Sequence, residues 1–480
     1  MGAQSMETAE PADARHAPEL AEGDSNLRVA EATDRILHRI VTRGAVAATS
    51  GVGAVLQKRG LVTRRSYAGR REETIVLGGA CSEVLSGPRL AQVLRPAVEH
   101  QVRALEELEG GRACSPLSIH TSAGLPAPLG PFVEALQRHL PWPAECDDWF
   151  LNLQLEGTTA VWAGVEALMH LRKAIGAPPR QYVAVAQCSY HGPKTTGLGQ
   201  PAEPRWPAAP RTEGQLAYPV PAPGAAGSPA EQEDFLQRFN AFLEQHAELI
   251  GVILFEPQWG SSFAARPWPK GLLQEAIRMS RDKGILVLCD EIMCGLGRHG
   301  QGTLFLSKAW ELEPDAVTFG KAVAAGPYPM SGVALKRGAK ALNAAGVKVM
   351  QSHTYAGSSA LALLTAREVL EEVPKWFKHA ADMGDVIAEV LGPLNDGSFL
   401  RVQGLGLMQG GLFVDPDEGR RQRAKQLLTE ACEEEAVWPY FVPDGGFMLT
   451  PPMDVEEEEL REGLQRLARC LARVKAQLAV

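Results

Sequence analysis

The chain has 480 residues, 45% of them hydrophobic and 22% charged, with a formal net charge of −9. That length holds two or three domains with a sizeable core, and the composition excludes disordered and fibrous classes. The acidic balance argues against a general nucleic-acid binder. Eight cysteines without C-x-x-C or Cys/His ligand spacing favour a reducing compartment and no structural zinc.

No apolar run reaches membrane-spanning length, and no secretory core lies near Met1. Met6 stands where a myristoylation signal needs Ser or Thr. Glu7, Glu10, Asp13, Glu19 and Glu22 disfavour a transit peptide, so a cytoplasmic location is expected; the Arg-rich stretch Arg28–Arg71 leaves organelle targeting open.

Residues 1–25, rich in Ala, Pro and Glu, read as a disordered tail. Leu27, Ala30, Ile36, Leu37, Ile40 and Val41 recur at helical spacing, which predicts an amphipathic helix over about 26–46. A short strand signal at Thr74–Leu77 precedes a helix through Leu94, Val98, Val102 and Leu105. Residues 26–110 are therefore expected to be the N-terminal segment of a small domain. Ser118, His120, Thr121 and Ser122 sit among glycines and prolines; the stretch reads equally as an active-site loop or as a polar surface loop. Next, Phe150–Leu155 is short and apolar, and Gly157 and Thr158 open a long helix. A glycine and hydroxyls at a helix start can make an anion site, and Thr158 could equally be a simple N-cap. A strand at Val183–Gln187 leads into Tyr190, His191 and Gly192. Gln200–Pro229 is proline-rich and reads as an ordered loop.

From Gly251 to Gly326 three apolar runs, Val252–Phe255, Ile285–Cys289 and Ala316–Phe319, end at Glu256, at Asp290 and, one glycine later, at Lys321. Short β-branched runs alternating with helical segments predict a parallel sheet, whose ligands sit at the strands' carboxyl ends. Two carboxylates and a lysine there suit a cofactor carried on lysine as a Schiff base. Pyridoxal 5′-phosphate supplies the aldehyde and needs a carboxylate beside its ring nitrogen. Lys321 fits the amine, Asp290 the carboxylate, and Gly320 with its small neighbours leaves room. Trp259, after Glu256, could wall a substrate pocket.

Beyond Lys321, YPMSGVAL reads as an antiparallel or edge strand, and Ser358 as a helix cap. Residues 111–374 then make the large domain. Residues 375–480 make the C-terminal small domain, with a helix to Leu391, strands near Phe399–Val402 and Leu407–Phe413, and a helix at Arg420–Glu435. A last helix starts at Asp454, with Glu457 in a capping-box arrangement.

FEP, DEIMCGLGRHG and PDAVTFGKAVAAG together resemble the class III (ornithine/omega-aminotransferase-like) aminotransferases, which are fold type I pyridoxal phosphate enzymes. The resemblance covers roughly Phe150–Met453. It implies an α/β fold, with a large domain built on a mostly parallel sheet flanked by helices and a smaller α/β domain from both chain ends. It implies that Lys321 carries the cofactor and moves the proton, and that Asp290 binds the pyridine nitrogen. Gly157 and Thr158 would belong to the phosphate segment, and Tyr190 or His191 would stack on the ring. Met293 would stand near the phenolic oxygen, and Thr354 would reach the phosphate of a neighbouring subunit, which requires a homodimer with shared active sites. Glu256, the acid of FEP, pairs in many relatives with an arginine at the position held here by Met448, so 2-oxoglutarate or glutamate recognition is in question.

Other departures are Glu156 and Thr159 in the phosphate segment, Ser358 and Ser359 for Asn-Pro, and the absence of D-x-D-G and G-H-x-x-P segments. Met293 stands where Gln is common. The reading is thus an aminotransferase acting on an amine or amino acid. The alternative is other chemistry on the same site: decarboxylative condensation with an acyl thioester on a carrier protein or coenzyme A, an aminomutase, or a decarboxylase. A cofactor-less interaction protein is disfavoured by the retention of both Lys321 and Asp290. No metal, nucleic acid or membrane partner is expected.

Overall fold

The computed structural model describes residues 54–67, 70–79, 81–119, 124–143, 145–187, 189–192, 214–222, 228–346, 355–442 and 445–478. The expected tail and helix over 1–46, the loop residues His120, Thr121 and Ser122, and Thr354 lie outside them. The chain divides into two units, 1–58 with 62–74, and 59–61 with 75–480. Of the first, the strands β1 (Ala54–Arg59), β2 (Val62–Tyr67) and the start of β3 (Arg70–Val76) are described.

The second unit is built on a seven-stranded sheet. Its strands are β4 (Phe150–Gln154), β5 (Tyr182–Ala186), β6 (Gln215–Tyr218), β7 (Ile250–Phe255), β8 (Leu286–Asp290), β9 (Ala316–Phe319) and β10 (Ser331–Leu335). They lie in the order β4-β10-β9-β8-β7-β5-β6. Neighbours from β9 to β6 run parallel, whereas β10 is antiparallel to both β4 and β9. Every residue of β7, β8, β9 and β10 is buried. That explains their unbroken apolar runs, because helices cover both faces of such a sheet. Val252, Leu254, Leu288 and Val333 pack there against Val161, Val165 and Leu168 of the helix Gly157–Ala174. Gly164 lets that helix approach, since a methyl at Gly164 would lie 2.6 Å from Leu288 Cδ1.

The C-terminal part holds β11 (Leu400–Leu405), β12 (Met408–Phe413), β13 (Val437–Trp438), β14 (Tyr440–Val442) and β15 (Gly446–Leu449). The strands β11-β12-β15-β14 form an antiparallel sheet, and β13 pairs with Ile75–Val76. The helices Phe377–Leu391, Glu418–Glu434 and Glu457–Leu478 accompany them; the last buries Leu460, Leu464, Leu467, Leu471 and Val474 on one face.

Four local expectations change. The stretch Gln200–Pro229 contains β6, an edge strand with one neighbour, bounded by Pro219 and Pro221; its Tyr218 hydroxyl donates to Leu254 O at 2.7 Å. The strand β10 is antiparallel as expected but lies inside the sheet. Ser359, not Ser358, caps the helix Ala360–Glu372, accepting from Ala362 N, while Ser358 donates to Tyr355 O. The last helix begins at Glu457, and the Asp454 carboxylate instead accepts from Ser86 N at 2.9 Å.

Candidate active site

The carboxyl ends of β7, β8 and β9 bring Glu256, Asp290 and the Gly320–Lys321 turn side by side. Asp290 is buried and fully bonded. Its Oδ1 accepts from Thr318 Oγ1 at 3.0 Å and from Ile292 N at 3.1 Å, and its Oδ2 lies 2.7 Å from His191 Nδ1. Burial works to raise its pKa. The His191 hydrogen bond and charge, with the Ile292 and Thr318 donors, outweigh burial and hold Asp290 below the usual carboxylate range. For His191, burial disfavours the imidazolium, but the Asp290 hydrogen bond and the charges of Asp290 and Glu256 raise it above its usual value. The pair is thus an ion pair whose other ring nitrogen, His191 Nε2, is buried and has no hydrogen-bond partner among the described residues.

Glu256 accepts from Tyr190 N at 3.4 Å and Gly260 N at 3.2 Å. Burial and the nearby Asp290 charge, only partly offset by His191, push it up to about 7. Among the described residues, no arginine or lysine stands among the main charges acting on it. Met448 is fully buried with Cys81, Ala264, Ala265, Cys294 and Met408, and Met293 and Tyr440 pack on the same cluster. Met293 Sδ would lie 2.5 Å from a methyl at Gly260, against 3.7 Å for Glu256 Oε2, so thioether and carboxyl meet over that glycine. The nearby Arg298 guanidinium is committed to the carbonyls of Leu407, Pro451 and Glu83.

Lys321 opens a short 3-10 turn, Lys321–Ala324, with φ of 51°. A left-handed lysine is costly, about 1–3 kcal/mol, and such strain concentrates at functional turns. Gly157 and Gly320 both abut Ile292: added methyls would lie 2.8 Å from its Cγ2 and 3.0 Å from its Cδ1. The helix start at Gly157 and the lysine turn therefore flank the residue two beyond Asp290. Glu156 occupies the N-cap position without a side-chain hydrogen bond, and Thr159 Oγ1 turns back to Glu156 O at 2.9 Å. Thr158 is thus not a cap, and the helix end keeps backbone donors for an anion. Gly192 lies directly on Thr158, where a methyl would fall 2.4 Å from Oγ1 and Cγ2.

An ionised buried carboxylate, an uncapped helix start, a lysine on a strained turn and glycines at each approach fit a phosphorylated, ring-nitrogen cofactor with an aldehyde. Asp290 would hold the ring nitrogen, Gly157 and Thr158 the phosphate, and Lys321 the aldehyde carbon. Tyr190 is half-buried, its backbone on Glu256, beside that space. Trp259 is not a pocket wall. It is 1% exposed, stacked on Trp268 at 4.6 Å, with Arg266 over its ring at 4.4 Å. Sequence reading passed over Thr318, although a hydroxyl in the apolar run AVTF was a visible signal. It also passed over Glu291, which accepts from Leu306 N at 2.5 Å and Ser307 N at 2.9 Å and thereby pins the loop after β8.

Two predictions arise here. Gly192 has φ of 116°, and Gly192→Ala adds both backbone strain and the overlap with Thr158. The expected loss is about 1–3 kcal/mol of stability and weaker cofactor uptake, read by thermal unfolding with and without cofactor. Second, burial pushes Glu291 as well as Glu256 up to about 7, from 4.5. Between those values the folded chain holds protons that the unfolded chain has released. Their contribution is complete below about 4.5 and is lost as pH rises towards 7, by about 3 kcal/mol for each. Urea unfolding at pH 5 and pH 7 measures that slope, and Glu291→Gln should remove its share.

The model of "Aminotransferase class-III" matches residues 117–471. The 4-aminobutyrate aminotransferase GabT of Escherichia coli (strain K12) is 27% identical over 349 residues, covering 66% of this chain and 75% of that protein. The ornithine aminotransferase of Bacillus cereus (strain 03BB102) is 28% identical over 227 residues, 46% of this chain; the match spans 52%, about half, of that relative's length. An (S)-enantioselective omega-transaminase from Thermomicrobium roseum superposes with a TM-score of 0.77 at 20% identity, covering 94% of this chain and 98% of that one. The Pseudomonas jessenii omega transaminase in complex with PMP gives 0.76 at 19% identity, covering 94% and 99%. At such identities the structures show a shared fold. With the family model matched over most of its length, the chain belongs to the class III aminotransferases, pyridoxal phosphate-dependent transferases of fold type I.

Proposed function

We propose that this chain moves an amino group between an amine or amino acid and a carbonyl acceptor, with Lys321 and Asp290 as the reacting pair. The observation that carries this is that Gly157, at the uncapped helix start, and Gly320, next to Lys321, both abut Ile292, two residues beyond the Asp290–His191 ion pair. When bound, pyridoxal phosphate supplies the carbonyl that takes the amine and a ring that accepts electrons. Asp290 would hold a negative charge against the ring nitrogen and so favour its protonated state. His191 holds Asp290 in register through Oδ2, and Thr318 does so through Oδ1. The Nζ of Lys321 would serve as the base that takes a proton from the substrate carbon and as the acid that gives it back. Gly157 and Thr158 would hold the phosphate, Tyr190 would cover the ring, and Met293 and Glu256 would border the substrate.

The setting of Glu256 supports a substrate without a second carboxylate. A buried acid with no described arginine or lysine beside it, its nearest cation His191 already paired with Asp290, and the apolar Met293–Met448 wall oppose another anion. We further infer a homodimer in which Thr354 of one copy serves the other's phosphate, a large domain over 111–374 with a small domain from 26–110 and 375–480, and a cytoplasmic setting. Among the described residues no helix is long and apolar enough to cross a membrane.

The test incubates the cofactor-loaded protein with single amines and no acceptor, then identifies the cofactor released by acid. Recovery as pyridoxamine phosphate supports amino transfer. Recovery only as pyridoxal phosphate, with carbon dioxide released when an acyl thioester is added, would replace this reading by the condensing reaction.

A further inference from the structure

Beyond Glu256 the chain folds back on itself. Gln258 pairs with Pro267, and Trp259 N donates to Arg266 O at 2.9 Å. The turn lays the Arg266 guanidinium against the rings of Trp259 and Phe263, 4.4 and 4.3 Å from their centroids, and leaves Arg266 only 2% exposed. Its Nη1 donates to Pro221 O at 3.2 Å. Its Nε and Nη2 are buried and have no hydrogen-bond partner among the described residues. Burial, and then the charge of Arg401, push its pKa down to about 10, so it stays a cation at neutral pH. No acid stands among the charges acting on it.

The two unused nitrogens define what is missing. Nε–H and one N–H of Nη2 point the same way along one side of the planar guanidinium, spaced to meet both oxygens of a carboxylate. The same turn holds two more buried donors without a partner among the described residues, Trp259 Nε1 and Ser262 Oγ. Gln403 Nε2 donates to Ala264 O at 3.3 Å, which seats β11 on the turn. Arg401, two residues earlier on the same face of β11, adds a second positive charge. A buried cation without a counter-ion is unfavourable, and aromatic faces offset only part of that cost. Glu256 is not the partner: its oxygens take Tyr190 N and Gly260 N, and its charge does not act on Arg266. Among these apolar rings a doubly charged phosphate or sulfate is harder to desolvate than a carboxylate, whose single charge and planar shape match the free side of Arg266.

We propose that Arg266, backed by Arg401, binds a small free carboxylate through its Nε and Nη2, at a site separate from the amino-transfer centre. Occupancy would steady the turn whose Gly260 N donates to Glu256 Oε2 at 3.2 Å, and so reach the centre indirectly. The probes are formate, acetate and propionate. They have neither the amine nor the carbonyl that amino transfer uses, so the result does not depend on that reading. The cofactor-loaded chain is purified without organic acids and dialysed against chloride. One portion is denatured and its released acids are identified by mass. The other is titrated with each acid at constant ionic strength, followed by calorimetry and tryptophan fluorescence. The expected result is a stoichiometric carboxylate in the extract, or saturable uptake at a single site in the titration, with a fluorescence change that Trp259→Phe removes. Arg266→Lys keeps the charge but not the paired donors, and should weaken binding by about tenfold or more. Arg401→Gln should give a smaller loss. Circular dichroism checks that each variant is folded; should Arg266→Lys fail that check, half-buried Arg401 carries the same comparison.

The proposal is overturned if no carboxylate is found in the extract and none is taken up in the titration. A response to chloride equal to that for acetate would reduce the effect to ionic strength and overturn it too. Tighter binding of inorganic phosphate or sulfate than of any carboxylate overturns the ligand class. Unchanged binding in folded Arg266→Lys and Arg401→Gln would place the carboxylate elsewhere.

Discussion

Lys321→Ala should lower amino transfer by about three to four orders of magnitude while leaving a folded protein. Lys321 is the one described lysine on the turn beyond β9, and it projects from a left-handed backbone position with Gly320 before it and Ala322 after it. No neighbouring amine on that turn can replace it. The loss should have two parts that can be read separately. Borohydride treatment of the wild-type chain should fix the cofactor to Lys321, found by peptide mass, and in the alanine variant the cofactor should be freed by dialysis. Added alkylamines should return some turnover to the variant, since they supply the missing base. Lys321→Gly should lose activity equally but gain stability relative to Lys321→Ala, because glycine takes a φ of 51° without strain. Full activity in Lys321→Ala would sink the assignment.

Asp290→Asn should cost a further large share of activity, about two to three orders of magnitude. Asparagine keeps the shape but not the charge, so the protonated ring nitrogen loses its counter-ion. It also disturbs the protein itself. His191 Nδ1 donates to Oδ2, and Ile292 N and Thr318 Oγ1 converge on Oδ1. An amide nitrogen placed at either oxygen meets a donor. The pH dependence follows from the same contacts. His191 is raised by its partner, so the ion pair's contribution is whole below about 6.5 and fades as pH climbs through the higher folded value. Asp290 is lowered, so its contribution is present above 3.8 and is lost as acid titrates it below that. NMR of the His191 ring protons should show a pKa above 6.5 in the wild type. In Asp290→Asn it should fall below that, because burial is then opposed by Glu256 alone.

The sheet was readable from sequence because its strands are buried on both faces and therefore unbroken in composition: VILF and LVLC run straight into Glu256 and Asp290, and AVTF reaches Lys321 one glycine later. The lysine turn and Asp290 were legible for the same reason. What escaped was set by distant partners. The four residues of β6 carry little pattern of their own and become a strand by lying beside β5. Trp259 looked like a pocket aromatic until Trp268 and Arg266 were seen to enclose it. Asp454 followed the rule for a helix start but is drawn to a backbone amide more than 360 residues earlier. Ile292, between the helix start at Gly157 and the lysine turn, is an ordinary apolar residue in sequence, and only the approach of Gly157 and Gly320 marks it.

The interior position of β10 governs when this site can exist during synthesis. The strand that launches the Gly157 helix, β4, has β10 as its neighbour, and β10 in turn joins it to β9 and the lysine turn. Until residue 335 has left the ribosome, Phe150–Gln154 has no strand to pair with, and the helix start at Gly157 has no fixed relation to Asp290. A nascent chain stalled shortly after Lys321 would hold every reacting side chain named above and still lack an assembled centre. Closure across about 180 intervening residues is slow by its loop entropy. Meanwhile β4 is an unpaired apolar edge, the kind of surface on which incomplete chains stick to one another.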